Sequence, residues 1–249
     1  MPHRRTTFSK FIIEDQRRRT GGDAELTALL NDVQTACKFV ASTVSRGQLD
    51  EPQGLAGAAN DIILRECEWG GGLCGMLSAE SSEPYLVPAT YPRGKYLLVF
   101  DPLDGASNLD VNVPVGTIFS ILRAPAGITE PAPRDFLQAG TQQVAAGFAL
   151  YGPTSTIVIT LGAGVHGFTL DREIGAYTLT HPNMRIPEET RDFAINSSNG
   201  RFWEPPVQHY VDECIEGSSG ARGVDFSLRW VDSLVAEVQR ILLRGGLFV

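Results

Sequence analysis

Cysteine is scarce in this chain: four residues, Cys37, Cys67, Cys74 and Cys214, with no C-x-x-C spacing among them. That usage speaks for a reducing cytosol and ordinary buried thiols rather than a disulfide framework. No apolar run is long enough to span a membrane, and the opening MPHRRTTFSKFIIEDQ lacks the apolar core of a signal peptide, so a cytoplasmic protein is expected. Basic residues are outnumbered, 21 Lys and Arg against 29 Asp and Glu, and the net charge of −8 argues against a general nucleic-acid or anionic-membrane binder. Arg17, Arg18 and Arg19 are the local exception, read as a solvated segment or an anion contact. What is present is ordinary for a soluble globule. Apolar residues make up 43% and charged residues 20% of the 249, enough for one large domain or two compact ones.

Periodicity supplies the architecture. Leu26, Leu29, Leu30, Val33, Cys37 and Val40 fall at helical spacing, which predicts an amphipathic helix over 24–41. A second helix is expected over 60–68, broken by Gly70 to Gly72, and a third over 230–244 through Val231, Leu234, Val235, Val238, Ile241 and Leu242. Strands are expected at 96–100, 116–123, 144–150, 155–161, 165–170 and 176–180. The stretch TLGAGVHGFTLDREIGAYTL reads as a hairpin turning at Asp171 to Gly175, with His166 a strand-edge residue rather than a ligand. Residues 124–135, rich in proline, read as a surface loop. Strand runs interleaved with helices indicate an α/β (α+β) layered sandwich.

The most informative stretch is VFDPLDGASNL, residues 99–109. The apolar run from Tyr96 to Phe100 reads as a buried strand that delivers Asp101 and then Asp104 into a turn sharpened by Pro102 and Gly105. Two carboxylates three residues apart can face one cavity, where hard oxygen donors suit Mg²⁺ or Mn²⁺. Behind them, Gly105, Ala106, Ser107 and Asn108 offer backbone N–H groups and a hydroxyl, which suit a phosphate. Metal beside phosphate is the equipment of a phosphoryl hydrolase. Asp, Pro and Gly also dominate plain turns, so the strand before the motif is what makes it specific.

These residues resemble a known signature. F-D-P-[LI]-D-G-[ST]-x-N is that of the lithium-sensitive sugar and inositol phosphatases. The segments 22–38, 93–123, 144–155, 194–206 and 226–249 narrow the resemblance to the class 1 fructose-1,6-bisphosphatases, in the wording of their bacterial branch. The resemblance implies a layered αβαβα sandwich of the sugar phosphatase type, with an N-terminal metal and effector domain over 1–185 and a C-terminal sugar-phosphate domain over 186–249. It implies Mg²⁺-dependent hydrolysis of fructose 1,6-bisphosphate to fructose 6-phosphate, in gluconeogenesis or the Calvin cycle, by a homotetramer.

By the same resemblance, Asp101, Asp104, the Leu103 carbonyl and Glu80 are metal ligands, while Asp61 and Glu80 act on the attacking water. Asp104, Gly105, Ala106 and Ser107 receive the 1-phosphate, Asn196 contacts the 6-phosphate, and Arg229 reaches that phosphate from a neighbouring subunit. Glu25, Leu26, Thr27, Lys95, Tyr96 and Arg123 fall where relatives bind AMP. Cys67 and Cys74 are read as plain thiols rather than as a redox pair.

The chain also departs from the pattern. Relatives read S-E-E where this chain has Ser78, Ala79 and Glu80, so one metal-binding carboxylate is a methyl group. Ala106 replaces a serine that usually donates to the phosphate. GLAGAAND (54–61) stands for a Lys-Lys-Leu-Asp stretch: the final aspartate is kept as Asp61, Ala56 stands for the aspartate five residues earlier, the preceding segment reads as shortened, and LAGAA suits a small flexible loop. The sequence ends on an apolar stretch, GGLFV, where relatives continue through a lysine-rich loop, a strand and an acidic helix start. A shortened second domain and impaired turnover are therefore expected. The alternatives are a non-catalytic homologue that binds sugar phosphate or AMP or partners an intact paralogue, a looser phosphomonoesterase acting on inositol phosphate or sedoheptulose 1,7-bisphosphate, and a fragmentary form.

Overall fold

A computed structural model describes residues 5–47 and 54–248, arranged as two compact units that divide between Asn183 and Met184. The first unit is built on one sheet of eight strands. In chain order these are β1 (Leu73–Ser78), β2 (Tyr85–Leu86), β3 (Tyr96–Asp104), β4 (Val115–Arg123), β5 (Ala145–Tyr151), β6 (Ser155–Thr160), β7 (Val165–Asp171) and β8 (Ala176–Met184). The spatial order is β2-β1-β3-β4-β5-β6-β7-β8, so all strands from β3 onward neighbour their successors. β1 and β3 run parallel, and their pairing sets Ser78, at the end of β1, opposite Phe100, one residue before Asp101.

Three helices pack on this sheet: α1 (Phe8–Thr20), α2 (Ala24–Arg46) and α3 (Gly54–Cys67). α2 starts where the Asp23 carboxylate accepts the Leu26 N–H and stops at Gly47, whose φ of 73° is open to glycine. Its stripe of Leu26, Leu29, Leu30, Val33, Cys37 and Val40 is buried. That stripe joins Tyr96, Leu98, Phe100, Phe119 and Ile121 in the main core. Burial of each large apolar side chain there stabilises the fold by about 1.5–3 kcal/mol. The opposite face of the sheet carries a smaller cluster, Cys74, Leu97, Leu122 and Phe136. Alternation along β3 thus feeds two cores at once, which explains its unbroken apolar run.

The stretch LAGAA, expected as a loop, is helical: α3 begins at Gly54 and buries Leu55, Ala58, Ala59, Ile62 and Ile63. Alanine has the highest helix propensity, and the small residues let α3 lie close to α2 and β3. The segment before Gly54, read as shortened, lies outside the described residues. α1 was not expected; its basic end, with Arg17 and Arg18 exposed, masks an apolar face of Phe8, Phe11 and Ile12. The hairpin over β7 and β8 is present, and Phe11 packs on both His166 and Phe168 of β7.

The second unit holds α4 (Pro205–Glu216), α5 (Leu234–Arg244) and a short parallel pair, β9 (Asp192–Phe193) with β10 (Ser227–Leu228). Phe193, Ile195, Val211 and Cys214 form its core. Glu237 is fully buried and paired at 2.8 Å with Arg240, whose guanidinium also donates to the Gly245 and Leu247 carbonyls. No described helix is long and apolar enough to cross a membrane.

Candidate active site

Side chains alternate along a strand, so residues 101 and 104 of a regular β3 would point to opposite faces. They do not. Asp101 pairs with Ile118 and Asp104 with Gly116, three steps on β3 against two on β4, which is a β-bulge. Residues 116 and 118 of β4 share a face, so the bulge sets both aspartates on that face. The Leu103 N–H turns back to the Asp101 carboxylate at 3.0 Å. Gly105 then takes a left-handed conformation, φ 74°, and opens a 3₁₀ turn over Ala106–Asn108, closed by the Asn108 N–H on the Gly105 carbonyl at 2.8 Å. The first N–H groups of such a turn, Ala106 and Ser107, have no carbonyl within it.

The end of β1 brings a third acid. The Ala79 N–H donates to the Phe100 carbonyl at 2.9 Å, and the Glu80 N–H donates to the Ser78 hydroxyl at 3.2 Å. Ser78 in turn donates to the Asn60 side-chain carbonyl of α3 at 2.6 Å. One hydroxyl therefore ties the Glu80 turn to the helix segment that carries Asp61. Ala79 is exposed, and its methyl group offers no ligand.

Burial pushes the Asp101 carboxyl above its ordinary range, and the neighbouring Asp104 and Glu80 add to the push. The structure thus gathers Asp101, Asp104 and Glu80 into one electrostatic group. Asp61 is exposed on α3.

The pair Asp101 and Asp104, set on one face, suits a hard divalent cation. The negative charge around Asp101 would be relieved by such an ion, and Mg²⁺ commonly uses only one or two carboxylates, completing its shell with water and phosphate. Among the described residues, no group of three or more His, Cys, Asp or Glu side chains stands ready to hold a metal. The carboxylates present are therefore a sparse set.

A second cluster lies at the start of α2. Asp23 caps the helix, accepts the Tyr96 hydroxyl at 2.7 Å and pairs with the Lys95 ammonium at 2.9 Å. Glu25 pairs with the same ammonium at 3.7 Å, and the Arg123 guanidinium lies over the Tyr96 ring. Burial raises the Asp23 carboxyl, but the Tyr96 and Lys95 hydrogen bonds outweigh it and bring the pKa down to about 2. A cavity of about 250 Å³ adjoins, lined by Leu26, Tyr96, Arg123 and Asp23 among others. The structure brings together Glu25, Leu26, Lys95, Tyr96 and Arg123, whereas the Thr27 hydroxyl turns away to the Asp23 carbonyl at 2.9 Å. Asp23 itself was missed from sequence, because its partners stand some seventy residues on.

Asn196 and Arg229 belong to the second unit. The Asn196 side-chain carbonyl accepts the Ser198 N–H at 3.1 Å and caps a 3₁₀ turn over Ser197–Phe202. Arg229 is half-exposed and pairs with Asp192 at 3.5 Å.

Two family models match this chain: Fructose-1-6-bisphosphatase, N-terminal domain, over residues 6–182, and Fructose-1-6-bisphosphatase, C-terminal domain, over 186–249. The chain belongs to the fructose-1,6-bisphosphatase family. Among its relatives, a class 1 fructose-1,6-bisphosphatase of Hydrogenophilus thermoluteolus is 54% identical, over 98% of this chain and 72% of its own length. Another, from Methylacidiphilum infernorum, is 53% identical over 100% of this chain and 73% of its own length.

The crystal structure of Leishmania major fructose-1,6-bisphosphatase in apo form superposes with a TM-score of 0.87 at 32% identity, covering 98% of this chain and 77% of that one. The fold is thus the mixed α/β fold of the fructose-1,6-bisphosphatases, with a large sheet flanked by helices. The family is one of phosphoric monoester hydrolases that use divalent metal ions.

Proposed function

We propose that this chain hydrolyses the 1-phosphate of fructose 1,6-bisphosphate, leaving fructose 6-phosphate, and that it does so with a weakened demand-limited metal site. The bulge that turns Asp101 and Asp104 to one face, within the field of Glu80, carries the reading. Asp101, Asp104, Glu80 and the Leu103 carbonyl would hold Mg²⁺, with Mn²⁺ able to replace it. When bound, the ion neutralises charge on the transferring phosphoryl group.

The chain's own groups supply the rest. The Gly105 and Ala106 N–H groups and the Ser107 hydroxyl orient the 1-phosphate. Glu80 and Asp61 accept the proton of the attacking water as its oxygen bonds to phosphorus and the ester bond to the sugar breaks, and that proton is returned to the departing sugar oxygen, which leaves as a hydroxyl. Asn196 holds the 6-phosphate, and Arg229 reaches it from a neighbouring subunit of a homotetramer. Ala79 and Ala56 remove two acids from this machinery, so turnover is slow and the Mg²⁺ requirement high. We place the protein in the cytoplasm.

Phosphate release from fructose 1,6-bisphosphate, with Mg²⁺ titrated to high millimolar, tests the proposal. Saturable release lost in Asp101→Asn supports it, and its absence from folded protein overturns it. The sparse ligand set favours a second reading, a sugar-phosphate-binding homologue that no longer turns over; calorimetric binding of fructose 1,6-bisphosphate without phosphate release would establish that instead. AMP is the effector proposed for the Lys95–Tyr96–Arg123 cluster. Its binding there is weak, because Asp23 and Glu25 already neutralise Lys95.

A further inference from the structure

Thr117 is a polar residue on the buried face of β4, flanked by Val115 and Phe119, and it is 2% exposed. Its hydroxyl lies 2.8 Å from the Pro102 carbonyl and 2.8 Å from the Tyr151 hydroxyl. Pro102 sits in the β3 bulge, and as a proline it has no N–H with which to join the ladder. Proton accounting fixes the direction of the bonds. The single Thr117 proton goes to the Pro102 carbonyl, which can only accept. The Tyr151 hydroxyl must then donate to Thr117 Oγ1. One directed chain therefore runs from β5 through β4 to the bulge: Tyr151, Thr117, Pro102.

We propose that Thr117 and Tyr151 are positioning residues, a buried strut behind the sheet that holds the β3 bulge and thereby keeps Asp101 and Asp104 on one face. Register places the strut on the core side and the two carboxylates on the other, so neither residue touches a ligand. Without the Thr117 hydroxyl the Pro102 carbonyl loses a buried donor, and the chain offsets the loss by letting the bulge migrate or the turn loosen. Either movement changes the spacing of the two aspartates. The inference rests on the reading of Asp101 and Asp104 as the metal-holding pair only in its functional consequence; the strut itself is defined by the turn.

The decisive experiment measures amide hydrogen exchange at Leu103 and Asp104 alongside Mn²⁺ binding by calorimetry. The variants are Thr117→Val, Thr117→Ser, Tyr151→Phe and Tyr177→Phe. Tyr177 is the control: its hydroxyl pairs with Ser155 at 2.8 Å in the same core and does not reach the turn. Thr117→Val should exchange about tenfold faster at Leu103 and bind Mn²⁺ about tenfold more weakly, the effect of one buried hydrogen bond lost. Tyr151→Phe should act in the same direction, Thr117→Ser should restore wild-type behaviour, and Tyr177→Phe should lower thermal stability while leaving both readouts unchanged. Unaltered exchange at Leu103 in Thr117→Val, or equal acceleration in Tyr177→Phe, overturns the strut. Wild-type Mn²⁺ binding by Asp101→Asn overturns the metal-pair reading instead, and the exchange data then decide the strut alone.

Discussion

Restoring a carboxylate at position 79 is the sharpest perturbation of the metal site. Ala79 is exposed, next to Glu80, and its N–H is held by the Phe100 carbonyl, so Ala79→Glu adds a side chain without disturbing the backbone or the core. Two unit charges about 4 Å apart interact by about 4 kcal/mol at an effective dielectric near 20, and a divalent ion doubles that. Solvent screening and side-chain ordering at an exposed position remove most of it, leaving a net gain of about 1–2 kcal/mol, or roughly tenfold tighter metal binding.

The same charge is unfavourable without metal, because it joins Asp101, Asp104 and Glu80 in one field. The variant should therefore melt below the parent chain in chelator and above it in millimolar Mg²⁺. Phosphate release against Mg²⁺ should show half-saturation shifted about tenfold lower. A half-saturation that stays within about twofold of the parent, with no crossing of the two melting temperatures, would refute the placement of the ion between the ends of β1 and β3.

Two carboxyls give opposite pH signatures in urea unfolding. Asp23 is depressed in the folded chain to about 2, so its contribution is full above about pH 4 and is lost as pH falls toward 2; Asp23→Asn should flatten that acid decline. The same variant leaves Lys95 less neutralised and should tighten AMP binding in calorimetry. Asp32 is raised to about 6 by burial and by Glu66, so stability falls as pH rises from about 4 to 6; Asp32→Asn should remove that fall and gain more at pH 7 than at pH 4. Gly147→Ala should cost about 2–3 kcal/mol in the same assay. Its added methyl group would meet the Val158 carbonyl at 2.4 Å and the Phe119 ring at 2.7 Å.

Much of this fold is legible in the sequence because burial leaves a periodic mark. The 3.6-residue spacing in 24–41 and the apolar run of 96–100 each reflect a face covered by the same core. The site was legible for a different reason: DPLDG joins two acids, a proline and a glycine after a strand. What escaped was non-local. DPLDG reads as a turn that ends β3, yet pairing with β4 carries the strand through Asp104, and nothing local announces the bulge. Asp23 finds its partners only when β3 reaches the start of α2, and α1 hid behind its arginines. Thr117 had left one clue, a hydroxyl breaking an otherwise apolar stripe.

The bulge also makes the length of the motif a matter of parity. Between Asp101 and Asp104 the chain spends an odd number of steps where β4 spends an even number. Deleting Pro102 would let β3 pair regularly and still keep two acids on one face, but it would discard the proline carbonyl that Thr117 grips. Inserting one residue would also restore an even count and regular pairing, but it would set the two acids four residues apart and dissolve the bulge that Thr117 holds. Variation in this motif should therefore come as substitutions at fixed length, and an engineered loop of altered length should be tolerated only beyond Gly105, where the 3₁₀ turn has already left the ladder.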